Sequence, residues 1–155
     1  TVVVPDLEIG YHVRYDKKNL YSFVLGAPPT LQYHNLKSQT NSILDKSIRR
    51  SLHKIPGKKA ISYISKKTDE WQVMSLDVNS GEKKMLTPTV PNSEDMCWIP
   101  TGELIMGAKS ELYFWQMGSD WQLIVDFSNF GLEDITRLAI NPKGDKLAVV
   151  VKDPN

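Results

Sequence analysis

An all-β fold, a β-propeller built of four-stranded antiparallel blades, is what three features of the chain predict. The first is a recurring hairpin, clearest in residues 138–151 (LAINPKGDKLAVVV). There Pro142 presets φ at the turn, Gly144 can take a positive φ, and the strand that follows is apolar and β-branched. The same unit stands at 97–106 (CWIPTGELIM), at 52–64 (LHKIPGKKAISYI) and, without proline, at 12–24 (HVRYDKKNLYSFV). The second feature is its spacing: the turn positions Asp16, Pro56, Pro100 and Pro142 are separated by 40, 44 and 42 residues. The third is an independent landmark, because Leu31, Trp71 and Glu111 in the third strands are each 40 apart. Four strands returning at such a period are the sequence signature of propeller blades.

The elements follow in order. Residues 1–4 read as a β-branched leading strand ended by Pro5 and Asp6, so that 1–6 precede the first blade. In the blade at 7–47, strands at 7–15 and 19–25 flank the Asp16-Lys17-Lys18 turn, Gly26 to Pro29 break the chain, and strands at 31–36 and 41–45 complete the unit. The blade at 48–91 takes 51–55, 60–65, 71–76 and 83–87, with Asp77 to Glu82 as the last turn. The blade at 92–128 takes 95–99, 103–108, 111–116 and 121–127. The partial blade at 129–155 holds only a hairpin, 136–140 and 146–151, after a single turn near 129–134. One local alternative is a short helix over 38–53, since Ile43, Leu44, Ile48 and Leu52 also fit helical spacing.

A blade cannot bury both of its faces alone, so stacking explains why Tyr63, Trp71, Trp98, Trp115 and Trp121 recur on the strands. A ligand platform is the other reading of such tryptophans. If Trp98 is packed between blades, Trp98→Ala costs roughly 3–5 kcal/mol. A ring of this kind usually closes with more blades than the chain supplies. The expectation is therefore a portion of a longer propeller, with self-association through open blade faces where it stands alone.

Composition narrows the functional classes. Nineteen basic residues against eighteen acidic ones give a formal charge of +1 without a basic stripe, which argues against nucleic acid and an anionic membrane surface. No apolar run has the length of a membrane span. Cys97 is the lone cysteine, lies in an apolar strand and reads as a buried thiol.

The turn "apolar strand, Pro-x-Gly, Leu-Ala-Val strand", together with Leu76-Asp77-Val78-Asn79-Ser80-Gly81-Glu82 before a fourth strand, resembles the TolB-like family of propeller repeats. The propeller domains of dipeptidyl peptidase and prolyl oligopeptidase look similar. Asn141-Pro142-Lys143-Gly144 matches the family turn well, Pro100-Thr101-Gly102 in part, and Pro56-Gly57 with a residue missing; Asp16-Lys17-Lys18 departs from it. The Gly-His and Trp-Asp pairs of WD-type blades are absent. The resemblance implies a binding scaffold, and an extracytoplasmic or periplasmic location, without fixing either.

Catalytic chemistry is not legible. His12, His34 and His53 lie on strands without metal-site spacing, although His12 and His53 occupy near-equivalent repeat positions and could line one channel. There is no Gly-x-Ser-x-Gly elbow, no base matched to Cys97, no phosphate loop, and no cofactor motif. Asp77 to Glu82 lacks the length of a calcium loop and reads as a hairpin turn. Function is expected where loops lead into the innermost strands, and these loops are charged: Asp6, Glu8, Arg49, Arg50, Glu94, Asp95, Glu133, Asp134 and Arg137. Recurrence at blade period predicts one rim of mixed sign, suited to a protein or peptide partner. Ordinary solvated loops are the alternative. Three readings remain open: a non-catalytic scaffold that binds a protein or peptide through this rim, the substrate-gating propeller of a serine peptidase, and a propeller enzyme acting on a sugar or lactone. The first is the expectation. On it, Arg49→Glu with Arg50→Glu should abolish partner binding and leave thermal unfolding unchanged.

Overall fold

The computed structural model describes Val4 and residues 7–152. The leading strand expected at 1–4, and Asp6 with it, lie outside the described residues apart from Val4, which is in a bend. All fourteen strands found among the described residues pair antiparallel with their sequence neighbours.

The first sheet is β1 (Ile9–Arg14), β2 (Asn19–Val24), β3 (Thr30–Asn35) and β4 (Thr40–Lys46). The second is β5 (Ile48–Lys54), β6 (Ala60–Ser65), β7 (Gln72–Asp77) and β8 (Lys83–Pro88). The third is β9 (Asp95–Trp98), β10 (Leu104–Ala108), β11 (Glu111–Trp115) and β12 (Gln122–Asp126). The fourth holds β13 (Ile135–Ile140) and β14 (Leu147–Val151) alone, after a 3-10 turn at Ser128–Phe130. This is the β-propeller arrangement, with successive four-stranded blades. The helix considered over 38–53 is not formed. Its apolar residues divide between β4 and β5, where Ile48 and Leu52 are buried in a core that a lone helix would lack.

The turns show how side chains set the hairpins. Gly144 takes φ 75° and donates its N–H to the Asn141 carbonyl at 2.9 Å, while Asn141 Oδ1 accepts from the Asp145 and Lys146 amides at 3.1 Å. Where the first hairpin lacks proline, the Asp16 carboxylate does the equivalent work. It accepts from the amides of Lys18 at 2.7 Å and Asn19 at 2.9 Å, which, led by Lys18, hold its carboxyl below the usual range. Asp77 repeats the device, accepting from the Ser80 and Asn79 amides.

The described residues form two compact units, one running to residue 54 and taking in 59–88, the other 55–58 with 89–152. In the first, the facing sides of two blades bury Tyr21, Phe23 and Leu31 against Ile48, Leu52, Ile61, Tyr63 and Leu76. In the second, Cys97, Ile105 and Leu112 of the third blade pack against Ile135 and Leu138 of β13. Gly107 on β10 makes that packing possible, since a Cβ there would stand 2.6 Å from Ile135 Cγ2. Trp98 and Trp115 are buried as the repeat predicted.

Candidate functional site

In the second blade, pairing brings three segments together at one end. Ile48 at the start of β5 faces Ser65 at the end of β6, and Ser65 faces Gln72 at the start of β7. The β5 ladder is interrupted just there. Between the pairs Ile48 with Ser65 and Leu52 with Tyr63, β5 carries Arg49, Arg50 and Ser51 against Ile64 alone. An insertion of this kind bends the strand and re-aims its side chains, as bulges do at rims and binding sites. Both arginines therefore leave the regular alternation of the strand. Arg49 turns onto Trp71, with Cζ 4.3 Å from the ring centroid, and Lys66 Nζ stands 4.7 Å from the same centroid.

Beside this group lies an acid that the sequence reading passed over. The Asp45 side chain, on β4, is 4% exposed. It accepts from the Tyr63 hydroxyl at 2.5 Å and from the Lys46 amide at 2.8 Å, forms an ion pair with Lys67, and has Lys83 Nζ 3.6 Å away. Burial alone would raise its pKa. The bonds from Lys67 and Tyr63 outweigh that and hold the carboxyl below its ordinary value. The cluster ties the first blade to the second, and the Tyr63 hydroxyl is pushed upward by burial and by the carboxylate it serves. The sequence signal was thin, because one Asp at a strand end and a Tyr eighteen residues on carry no pattern.

The other rim residues belong to the second unit. Asp95, buried at the start of β9, pairs with Arg137 on β13 at 3.3 Å, and Arg137 also donates to the Thr136 carbonyl. Glu94 is half-buried, whereas Glu133 and Asp134 are exposed. Thus Asp95 and Arg137 come together as a strut between the third blade and the last hairpin. Glu133 and Asp134 remain in solvent.

The histidines take three different places. His34 is buried, with Nε2 2.6 Å from Ser22 Oγ, and Nδ1 makes no hydrogen bond among the described residues. Burial lowers its pKa. His12 is exposed on β1 opposite Ser22, and His53 is half-buried opposite Ser62. Burial also pushes the Cys97 thiol up to about 11, the environment of an inert thiol rather than a nucleophile. No group of three or more potential metal ligands occurs among the described residues. No helix among them is long and apolar enough to cross a membrane.

No protein-family model and no curated protein sequence matches the chain. Solved structures do. TolB from Acinetobacter baumannii is similar at a TM-score of 0.65 and 14% identity, over 87% of this chain and 35% of that one. A chain of a nidogen/laminin complex is similar at 0.63 and 13%, over 94% of this chain and 54% of that one. The β-propeller domain of the Trilobed protease from Pyrococcus furiosus, which has an open velcro topology, is similar at 0.51 and 15%, over 77% of this chain and 42% of that one. The chain thus spans about a third to a half of the length of these proteins. At such identities the likeness speaks for architecture: the chain has a β-propeller fold, similar to that of TolB.

Proposed function

We propose that residues 1–155 are one segment of a propeller that binds a protein or peptide partner through the charged loops leading into its innermost strands, without catalysing a reaction. One observation carries this reading. The strand bulge at Arg49 to Ser51 takes two adjacent arginines out of the ladder, and one of them rests on an aromatic ring. Arg and Trp are also the residues on which binding energy concentrates at protein interfaces. Glu94, Asp95, Glu133, Asp134 and Arg137 extend the reading to the second unit, where Glu133 and Asp134 are the accessible members. A periplasmic or other extracytoplasmic location goes with it through the TolB likeness, and fractionation of tagged protein checks that.

The test is capture on the immobilised chain, wild type against an Arg49→Gln, Arg50→Gln double variant. Glutamine is preferable to glutamate, because Arg49 lies on Trp71 and charge reversal now carries a stability cost of about 0.5–1 kcal/mol that the sequence alone did not suggest. The expected outcome is a defined partner held by the wild type and lost from a folded variant. Undiminished capture by the variant removes these arginines from the site.

Two further readings each have an observation behind them. The likeness to a protease's propeller domain supports a substrate-gating role, for which a Gly-x-Ser-x-Gly elbow elsewhere in the same gene is the check. Strand β12 exposes Leu123, Ile124 and Val125 in succession, which supports self-association, and light scattering across a concentration series measures it.

A further inference from the structure

The formal charge of +1 conceals a division within the chain. Residues 1–54 and 59–88 carry thirteen lysines and arginines against eight aspartates and glutamates, whereas the rest of the chain carries six against ten. Much of the excess in the first unit gathers at one place. Antiparallel pairing returns its hairpins to the end of the strands opposite the loops that lead into β1 and β5. At that end stand Arg14, Lys17, Lys18 and Lys37 of the first blade, with Lys54 and Lys59 of the second, all exposed. The Leu36 amide donates to the Lys18 carbonyl at 2.7 Å, which sets Lys37 beside the first turn. Lys54 Nζ lies 5.5 Å from the Tyr15 ring centroid and so brings the second blade to that turn, while the Lys59 carbonyl accepts from the Val78 amide at 3.0 Å. Tyr15 and Val78 pack against the same core. The lysines are far apart in sequence, so the patch exists only once the strands have paired.

None of these five lysines has an ion pair among the described residues. The acids at this end are engaged elsewhere. Asp16 accepts from the amides of Lys18 and Asn19, Asp77 from those of Asn79 and Ser80, and Glu82 pairs with Lys84 at 3.3 Å. Clustered like charges repel one another, and a clustered negative partner relieves that repulsion and is drawn in from a distance. The composition of the patch selects the partner. Arg14 donates to the carbonyls of Asp16 at 3.1 Å and Lys17 at 3.4 Å, so its guanidinium belongs to the turn rather than to a bidentate contact with phosphate or a base edge. Tyr15 is half-buried and offers no open face on which a base could stack. None of the large exposed apolar residues lies at this end, where a membrane surface would need them. Lysines on flexible stems suit separate carboxylates met one at a time. We propose that this end of the first unit is a docking surface for an acidic segment of a protein partner, a run of aspartates and glutamates. It lies apart from the Arg49 rim and does not depend on it.

A fluorescein-labelled peptide of alternating Asp and Glu, and its Asn and Gln counterpart, are titrated against the chain by anisotropy at low salt and at about 0.15 M salt, where screening acts over about 8 Å. The test variant is Lys17→Gln, Lys18→Gln, Lys37→Gln; the control is Lys143→Gln, Lys146→Gln in the last hairpin turn. The expected result is saturable binding of the acidic peptide alone, still measurable at the higher salt and weakened about ten-fold or more by the triple variant, which is 1.4 kcal/mol. The control should leave it unchanged. Equal binding of the two peptides, equal weakening by the control, or binding confined to low salt each overturns the proposal. Duplex DNA or phosphatidylserine vesicles displacing the peptide at a lower concentration of charge also overturns it, in favour of phosphate. A salt-sensitive dimer of the chain alone, lost in the triple variant, overturns it in favour of a second copy. Urea unfolding of the triple variant checks that these exposed substitutions leave the fold intact.

Discussion

The close approach of Gly107 to Ile135 yields a prediction whose sign changes with the genetic background. Gly107→Ala adds a methyl 2.6 Å from Ile135 Cγ2 and 3.2 Å from its Cβ, on a strand that is well paired on both sides. Overpacking of that kind costs about 1–3 kcal/mol. Its backbone component runs the other way, since alanine in a strand interior is better than glycine by roughly 0.5–1 kcal/mol. Ile135→Ala alone empties a buried site and should cost about 2–5 kcal/mol. Combined, the two substitutions remove the clash with Cγ2 and fill part of the cavity. In the Ile135→Ala background, then, Gly107→Ala should be neutral or stabilising, giving a coupling of about 1–3 kcal/mol. Ile135→Val is the control, because it keeps the Cγ2 methyl and should give no rescue. The assay is urea unfolding followed by tryptophan fluorescence across the four proteins of the cycle and the valine control. Equal cost of Gly107→Ala in both backgrounds would refute the reasoning and with it the seating of β13 on β10.

Substitutions at four other residues separate the buried polar groups from the apolar core. Asp45→Asn should destabilise by about 1–3 kcal/mol, and Tyr63→Phe by somewhat less because Lys67 still holds the carboxylate; less-than-additive losses in the double variant would show that they act on one bond. The Asp45 pKa is depressed in the fold, so its contribution is present above about pH 4 and is lost as the pH falls through the folded value; Asp45→Asn should flatten that acid limb. For His34 the folded pKa is depressed by burial, so the unfolded chain binds the extra proton first. Stability should fall by up to about 1.4 kcal/mol per pH unit below about pH 6.5 until the folded value is reached, and His34→Gln should remove that slope while leaving the Asp45 limb. Trp98→Ala should lower stability by roughly 3–5 kcal/mol, as a buried ring requires; a near-neutral outcome by thermal unfolding would reopen the ligand-platform reading.

Much of the fold was legible because a propeller writes itself into sequence through repetition. Pro142 with Gly144, or Asp16 in their place, mark turns by local chemistry, and local chemistry needs no tertiary context. The period then supplies the context that local rules lack: residues 38–53 satisfy a helical spacing, and only the expectation of four strands per repeat decides against it. The candidate site was half legible for the opposite reason. Arg49 and Arg50 stood out as charges at a repeat position, but a bulge is a change in register between two strands and has no mark in either one. Asp45 lies at the end of the first blade and Tyr63 and Lys67 on and just after β6 of the second, and what joins them is the stacking of one blade on the next. Asp95 illustrates the same limit from the other side. Its charge and repeat position made it a rim residue, whereas its burial against Arg137 spends that charge on holding β9 to β13. Position along a repeat can say which residues reach an end of the blade. Whether a charge there is free to meet a partner depends on the neighbouring blade, and it is Lys66, a residue with no repeat signature at all, that keeps its charge exposed.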